Sequence, residues 1–504
     1  MKVIKKPVTQ EGKFKAFMNP LRVEWPARHS PSMEQVNTLV NIHVNPFEFE
    51  ELLELKIQKR LNDHAYMSLS GIIPEGMQDE YAEHADENKL VTVCTDKDGE
   101  DYTLFTGLIL EIDMSTENGL RKLELTAVSC SMITDKNEMM KSYQDAGQTY
   151  ESICKEKICA YPRGEIIDYV SDGKAIGDLI VQYKETDWEF LKRLASHFHA
   201  PLVVDAKKPG PHIYFGLQVH NTEVKLGEYK YVFENDIWKH EKDAKKEGGE
   251  ASKDGGMAYK IRSGQILELC AKVNFKNRTL YVSNIETVYE KGQLLHYYTL
   301  ASKARCSQPK LFNRDLAGVS LFGKILEISK DTVKLHLEID GNQDKGSAKF
   351  FPYATVYSSP DGTGWYCMPE EGDKCRLYFP DDEESNAFSA SSVNLQSSNP
   401  DSRSSPDDKS ISTKYGKSVR LTPEGIFIQS GDELYINITD ENGIEMMSDK
   451  KIKMESKDEV SIESTDMGDI KIEGKEGITI KKDDGIEVNI VEDVTITGGQ
   501  VRME

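Results

Sequence analysis

From Ile426 to Ile496 an aliphatic residue recurs with an aliphatic partner two places later, and no other stretch limits the possible fold so tightly. The pairs are Ile426/Ile428, Leu434/Ile436, Ile444/Met446, Ile452/Met454, Val460/Ile462, Ile470/Ile472, Ile478/Ile480, Ile486/Val488 and Val494/Ile496. The steps between successive pairs are 8, 10, 8, 8, 10, 8, 8 and 8 residues. Side chains on an extended chain alternate with period two, so an even step keeps the pairs on one face. Turn and charged residues separate them, as at Ser456-Lys457-Asp458 and Gly474-Lys475-Glu476-Gly477. Two apolar residues per octad cannot enclose a core inside one hairpin, so the segment must stack on copies of itself. A β-helix does this, either by coiling one chain or by winding several chains together. These eighteen residues are the candidate structural core of a needle.

The 504 residues suffice for three or four domains. A formal charge of -22 argues against nucleic acid as a partner, because such a surface needs cations to displace counterions. The acidity reads as a solvated surface that keeps a large assembly soluble. The eight cysteines contain no C-x-x-C pair and read as reduced, buried thiols of a protein folded in the cytosol. The basic start Met1-Lys-Val-Ile-Lys-Lys-Pro7 lacks the apolar run of a signal peptide, and no stretch approaches the ~20 apolar residues of a membrane helix. The expectation is assembly in the bacterial cytoplasm without a signal peptide.

Taken in order, residues 1–125 read as short strands at regular spacing, which suggests a small β-barrel. Within them Glu50–Leu61 carries helix-like spacing at Leu52, Leu53, Leu55 and Ile57. Residues 126–245 read as an α+β domain. Its best helix is Lys184–Phe198, where Thr186 and Glu189 have capping-box spacing and Trp188, Leu191, Ala195 and Phe198 share a face. Residues 246–316 hold strands of a second β-barrel after a glycine-rich loop, and 317–395 form a further β unit. A Ser/Pro/Asn-rich linker covers 396–412, and the octad tail covers 413–504.

Three local patterns in this order resemble the spike proteins of contractile injection machines, the VgrG family of type VI secretion and the fused hub and spike of phage-like tails. Gln182-Tyr-Lys-Glu-Thr-Asp-Trp-Glu-Phe-Leu-Lys-Arg-Leu-Ala195 is similar to the family's hub helix. Gly364-Trp-Tyr-Cys-Met-Pro-Glu-Glu-Gly-Asp-Lys-Cys-Arg-Leu-Tyr-Phe379 resembles the family's OB-fold signature, with Cys375 and Leu377 where valines are common. The octad tail is similar to the family's intertwined trimeric β-helix.

The resemblance implies a mainly β chain: a hub of two β-barrels with an α+β insertion, an OB-fold collar and a trimeric β-helix needle. The implied partners are two further copies in a homotrimer, a hexameric tail-tube protein, baseplate components and effector cargo. The tail ends without His-x-His for an apical metal, which in the family implies a separate PAAR-type tip protein. The implied function is mechanical, a spike that punctures the target envelope when a sheath contracts, meeting the membrane only by piercing it.

No local motif supports an enzyme, a cofactor or a metal. Gly416-Lys417-Ser418 lacks the upstream glycine of a phosphate loop, and His240-Glu241 has alanine where H-E-x-x-H needs histidine. Gly362-Thr-Gly364 reads as a turn. His197-Phe-His199 would put two imidazoles on one side of an extended chain, but a metal needs three or four ligands, so a structural pair at a helix end is the expectation. The alternative function is a phage tailspike that degrades polysaccharide or binds a receptor, with a single chain coiled as a β-helix. Nine pairs would then make only about three coils.

Overall fold

The computed structural model describes residues 41–77, 81, 89–97, 99–117, 119–218, 223–226, 230–236, 255–395, 397–466, 468–482 and 486–490. They fall into two units, Met1–Leu395 and Gln396–Glu504. The first begins with strands β1 (Ile42–Asn45), β2 (Glu51–Arg60), β3 (Tyr66–Ile72), β4 (Leu90–Lys97), β5 (Glu100–Glu117) and β6 (Leu120–Ser129). Along β3 and β4 buried and half-buried residues alternate, as expected of strands with one face on a core.

Strand β2 corrects the helix-like reading of Glu50–Leu61. Leu55 and Ile57 are buried with Lys59 on one face, while Glu54 and Arg60 are exposed on the other. The same apolar residues satisfy a helical or an extended period, and the outcome is set by partners on both edges. On one side Leu55 and Ile57 pair with Leu69 and Met67 of β3. The second partner is remote in sequence.

An α+β segment follows: β7 (Glu138–Tyr143), helix α1 (Tyr150–Ile158), β8 (Glu165–Asp168), β9 (Ile180–Thr186), helix α2 (Asp187–Ser196), β10 (Leu202–Val204) and β11 (His212–Phe215). Helix α2 starts at a complete capping box: Thr186 Oγ1 accepts from the Glu189 amide at 3.1 Å, and Glu189 Oε2 accepts from the Thr186 amide at 3.2 Å. Trp188, Phe190, Leu191 and Leu194 are buried in the same core as Leu55, Phe105 and Leu125.

Then come β12 (Val224–Lys225), β13 (Tyr231–Asn235), β14 (Met257–Ser263), β15 (Lys272–Phe275), β16 (Arg278–Glu290) and β17 (Gln293–Ala301). Among the described residues, the strands before and after the insertion are not separate sheets. They join in one sheet of order β1-β4-β5-β6-β3-β2-β16-β17-β14-β13, with β15 on β16 and β12 on β15. The seam is the antiparallel pairing of β2 with β16, from Arg60↔Asn284 to Glu54↔Glu290. A long strand with two free edges takes a partner on each, and β2 takes one from either half.

Strands β18 (Ser320–Ser329), β19 (Thr332–Leu337), β20 (Phe350–Ala354), β21 (Lys374–Tyr378) and β22 (Phe388–Ala390) close a barrel of order β18-β19-β20-β22-β21. An irregularity at Ile325/Glu327 bends β18 so that it pairs with both β19 and β21. Leu335, Phe351, Cys375, Leu377 and Phe379 fill the interior.

In the second unit β23 (Lys409–Ser412), β24 (Lys417–Thr422), β25 (Gly425–Ser430), β26 (Leu434–Thr439) and β27 (Gly443–Ser448) make an antiparallel meander. Strands β28 (Ile478–Lys482) and β29 (Ile486–Ile490) form a hairpin further on.

Candidate functional site

Residues directly opposite in an antiparallel ladder point to the same face. In the meander the register therefore lines up two aliphatic rows. One runs Ile411, Val419, Ile428, Ile436, Met446, and the other Leu421, Ile426, Ile438, Ile444. Leu434 lies on the same face opposite Ser448. All ten are exposed, from 37% at Ile436 to 69% at Ile444. A soluble single chain has no use for a contiguous apolar face of this extent, which marks an interaction surface. Covering what is still exposed of each side chain would contribute on the order of 1 kcal/mol.

The remaining pairs lie beyond the meander. Between 449 and 477 no strand occurs among the described residues, and Ile452, Met454, Val460, Ile462, Ile470 and Ile472 are all exposed. In the terminal hairpin Ile480 pairs with Val488, and Ile478 with Ile490 rather than with Ile486, which faces Lys482. Val494 and Ile496 lie outside the described residues.

The face is wider than the eighteen residues of the octad pattern. Val419, Leu421 and Ile438 belong to it, and Ile411 extends it. Val419/Leu421 is itself a pair with spacing two, but it precedes Ile426/Ile428 by an odd step of seven. The two-residue connection at Pro423-Glu424 reverses the chain, so Thr422 pairs with Gly425 and the odd step still lands on the same face.

In the first unit the buried polar groups are structural. Arg193 on α2 closes on Glu185 and Glu384, and Asp340 accepts from the amide and hydroxyl of Ser142 at 2.7 and 2.6 Å. His197 and His199 do not converge as an extended pair. His197 caps α2 and has Nδ1 2.9 Å from the Tyr150 hydroxyl, while His199 turns away with φ 52° and has Nδ1 3.3 Å from the Gln308 carbonyl. Burial, reinforced by Arg193, Lys310 and Lys174, pushes His197 down to about 3. No group of three His, Cys, Asp or Glu is placed to hold a metal ion among the described residues. His240 and Glu241 lie outside them. An open cleft of about 370 Å³ between Gln144, Gly177 and Ala348 is bridged by the Lys349–Asp178 ion pair.

Sequence alone did not single out Val356, Tyr357, Trp365 and Tyr366 as surface residues. They sit on an arm between β20 and β21 and are all exposed. The arm is closed by a Ser358↔Gly364 bridge and by the Trp365 amide donating to the Tyr357 carbonyl at 2.8 Å.

The described residues thus build a broad β-sheet with an α+β insertion, a closed five-strand barrel and a strand-paired tail. The chain has the fold of VgrG-like hub proteins. It is similar to the E. coli c3393 protein, a component of the type VI secretion system with structural similarity to T4 bacteriophage tail proteins gp27 and gp5. The TM-score is 0.50 at 12% identity, over 70% of this chain and 99% of that one. It is also similar to a chain of the Francisella PdpA-VgrG complex, with a TM-score of 0.52 at 10% identity, over 81% of this chain and 87% of that one. No family model matches the sequence, and no curated protein matches it by sequence.

Proposed function

We propose that this protein is the structural central spike of a contractile injection machine, a hub fused to a needle, acting as a homotrimer. The observation that carries the reading is the aliphatic face of the tail, continued by exposed pairs up to Ile480 and Val488. Copies of the same chain carry the same pairs at the same spacing, so winding three tails together would bury them and give the unpaired stretch 449–477 strand partners. The product is an intertwined β-helix, stiff because its backbone groups satisfy one another.

The closed barrel is read as an OB-fold collar. Its strand order, first-second-third-fifth-fourth with the third and fifth parallel, supports this. The hub would dock on a hexameric tail-tube protein among baseplate components, and the needle would end in a PAAR-type tip, with effector cargo carried alongside. The role is mechanical rather than enzymatic. The particle is assembled in the cytoplasm and fired outward, and the spike meets the target membrane only by piercing it.

Light scattering on the purified protein tests this. A mass near three times 56.9 kDa is expected, and deletion of 413–504 should weaken the trimer. A folded monomer at high concentration would overturn the reading in favour of a single-chain coil.

A further inference from the structure

The arm at 355–366 turns its large side chains to solvent, yet it is held in one shape. Gly364 has φ 138°, and a Cβ there would meet the Tyr357 carbonyl at 2.3 Å, so only glycine lets the two limbs of the arm close. Ser359 donates its amide to the Thr363 carbonyl at 2.9 Å, and the Tyr366 hydroxyl donates to the Lys330 carbonyl at 3.0 Å, which anchors the arm to the β18–β19 turn. Its side chains are the most exposed large apolar groups of the barrel: Val356 is 90% and Tyr366 75% exposed, with Tyr357 and Trp365 above half. A rigid backbone that presents aromatic groups to solvent is an interface prepared in advance.

The place where the arm springs from names its occupant. β20 and β22 run parallel, with Ala354 directly beside Ala390. The arm therefore leaves the barrel at the end where β22 finishes, and beyond β22 the chain passes through Leu395, itself 61% exposed, into the linker. Thirteen residues lie between Leu395 and Lys409, the start of β23, a reach of roughly 50 Å at most. Copies joined through their tails hold one another's barrels at an effective concentration in roughly the millimolar range. The surface that such an arm meets most often is the same surface of another copy.

We infer that Val356, Tyr357, Trp365 and Tyr366, with Leu395, form an apolar contact between copies of this chain at the end of the barrel from which the tail departs. This rests on the reading that the tails assemble. The arm then adds a second contact between copies that the aliphatic face has already joined.

The test uses the full chain with benzoylphenylalanine in place of Val356, irradiated where light scattering gives the threefold mass. The expected result is a covalent species of two or three chains, with the new bond mapped to 355–366 or 391–395 of another copy. In parallel, V356S/W365S should raise the concentration at which the trimer half-dissociates by about tenfold or more, since a buried tryptophan anchor contributes at that scale. A threefold mass with no interchain adduct and an unmoved dissociation midpoint overturns the arm contact and leaves the tail reading standing. Crosslinks confined to the arm's own chain do the same. A monomeric unsubstituted chain overturns the tail reading, and the arm contact with it.

Discussion

Arg193 Nη1 donates to Glu384 Oε1 at 2.7 Å, so one buried guanidinium on helix α2 reaches the loop that precedes the last strand of the barrel. Its Nε and Nη2 close on the two oxygens of Glu185, both at 2.8 Å, and Nη2 also donates to the Val181 carbonyl. Each of the three guanidinium nitrogens meets an acceptor, which is what allows a charge to be buried there. Burial pushes Glu185 up, and Arg193 pulls it back down.

Breaking that fork from the cationic side leaves a carboxylate buried without its counter-charge. Arg193→Met is expected to destabilise the first unit by about 3–5 kcal/mol, the scale for removing one partner of a buried pair. Glu384→Gln keeps a hydrogen-bond acceptor and should cost less. Chemical unfolding followed by tryptophan fluorescence measures both, and no loss in Glu384→Gln would show that Glu384 is not part of the clamp.

Acid should loosen the first unit before it protonates surface carboxylates. Burial holds His197 at about 3 and His296 at about 4, both below the usual 6.5. Between those values the unfolded chain binds protons that the folded one refuses, so stability is full above pH 6.5 and falls as pH drops towards 4. Glu268 is held at about 2 by Lys59 and Lys207 against its burial, and extends the loss below pH 4.5. Glu185 and Asp340, raised by burial, act in the opposite direction and offset part of it. Melting temperatures from pH 7.5 to 4.5 should fall, and His197→Gln should flatten the slope. A slope unchanged by His197→Gln would rule out His197 as its source.

On the polar face of the wide sheet, Glu54 stands directly opposite Glu290, and Asp113 opposite Glu124. Like charges facing across a ladder are unfavourable by a few tenths to about 1 kcal/mol. Glu290→Lys should raise the unfolding midpoint at low salt, with the gain shrinking as salt screens it. A loss at low salt would mean that another cation already balances the pair.

Ile428 and Ile436 sit opposite each other in one aliphatic row of the tail. A carboxylate at both positions, I428D/I436D, leaves each strand's hydrogen bonds intact but cannot be buried between copies. The expected outcome is a mass of 56.9 kDa by light scattering where the parent gives three times that value. Unchanged mass would show that this row faces solvent in the assembly.

Local order was legible in the residues. Thr186 and Glu189 announced the start of α2 because a capping box is written within four residues, and it is satisfied by atoms three residues apart. The aliphatic pairs of the tail announced an extended chain with one apolar face, because period two needs only neighbours. What neighbours do not encode is the choice of partner. Leu52, Leu53, Leu55 and Ile57 fit two periods, and β2 is a strand because Ile57 pairs with Met67 on one side and Thr287 on the other, the latter 230 positions away.

The tail divides along the same line. Its sequence determined that Ile426, Ile428, Ile436 and Ile444 lie on one apolar face. Only the fold decided that Val419 and Leu421 join them, because a two-residue reversal at Pro423-Glu424 turns an odd spacing into a shared face. The arm shows the extreme case: Val356 and Trp365 are ordinary apolar residues in sequence, and their exposure beside the exit of the chain follows from Ala354 lying against Ala390. Periodicity is a local property, whereas pairing and exposure depend on residues that only the closed barrel and the ladder bring together.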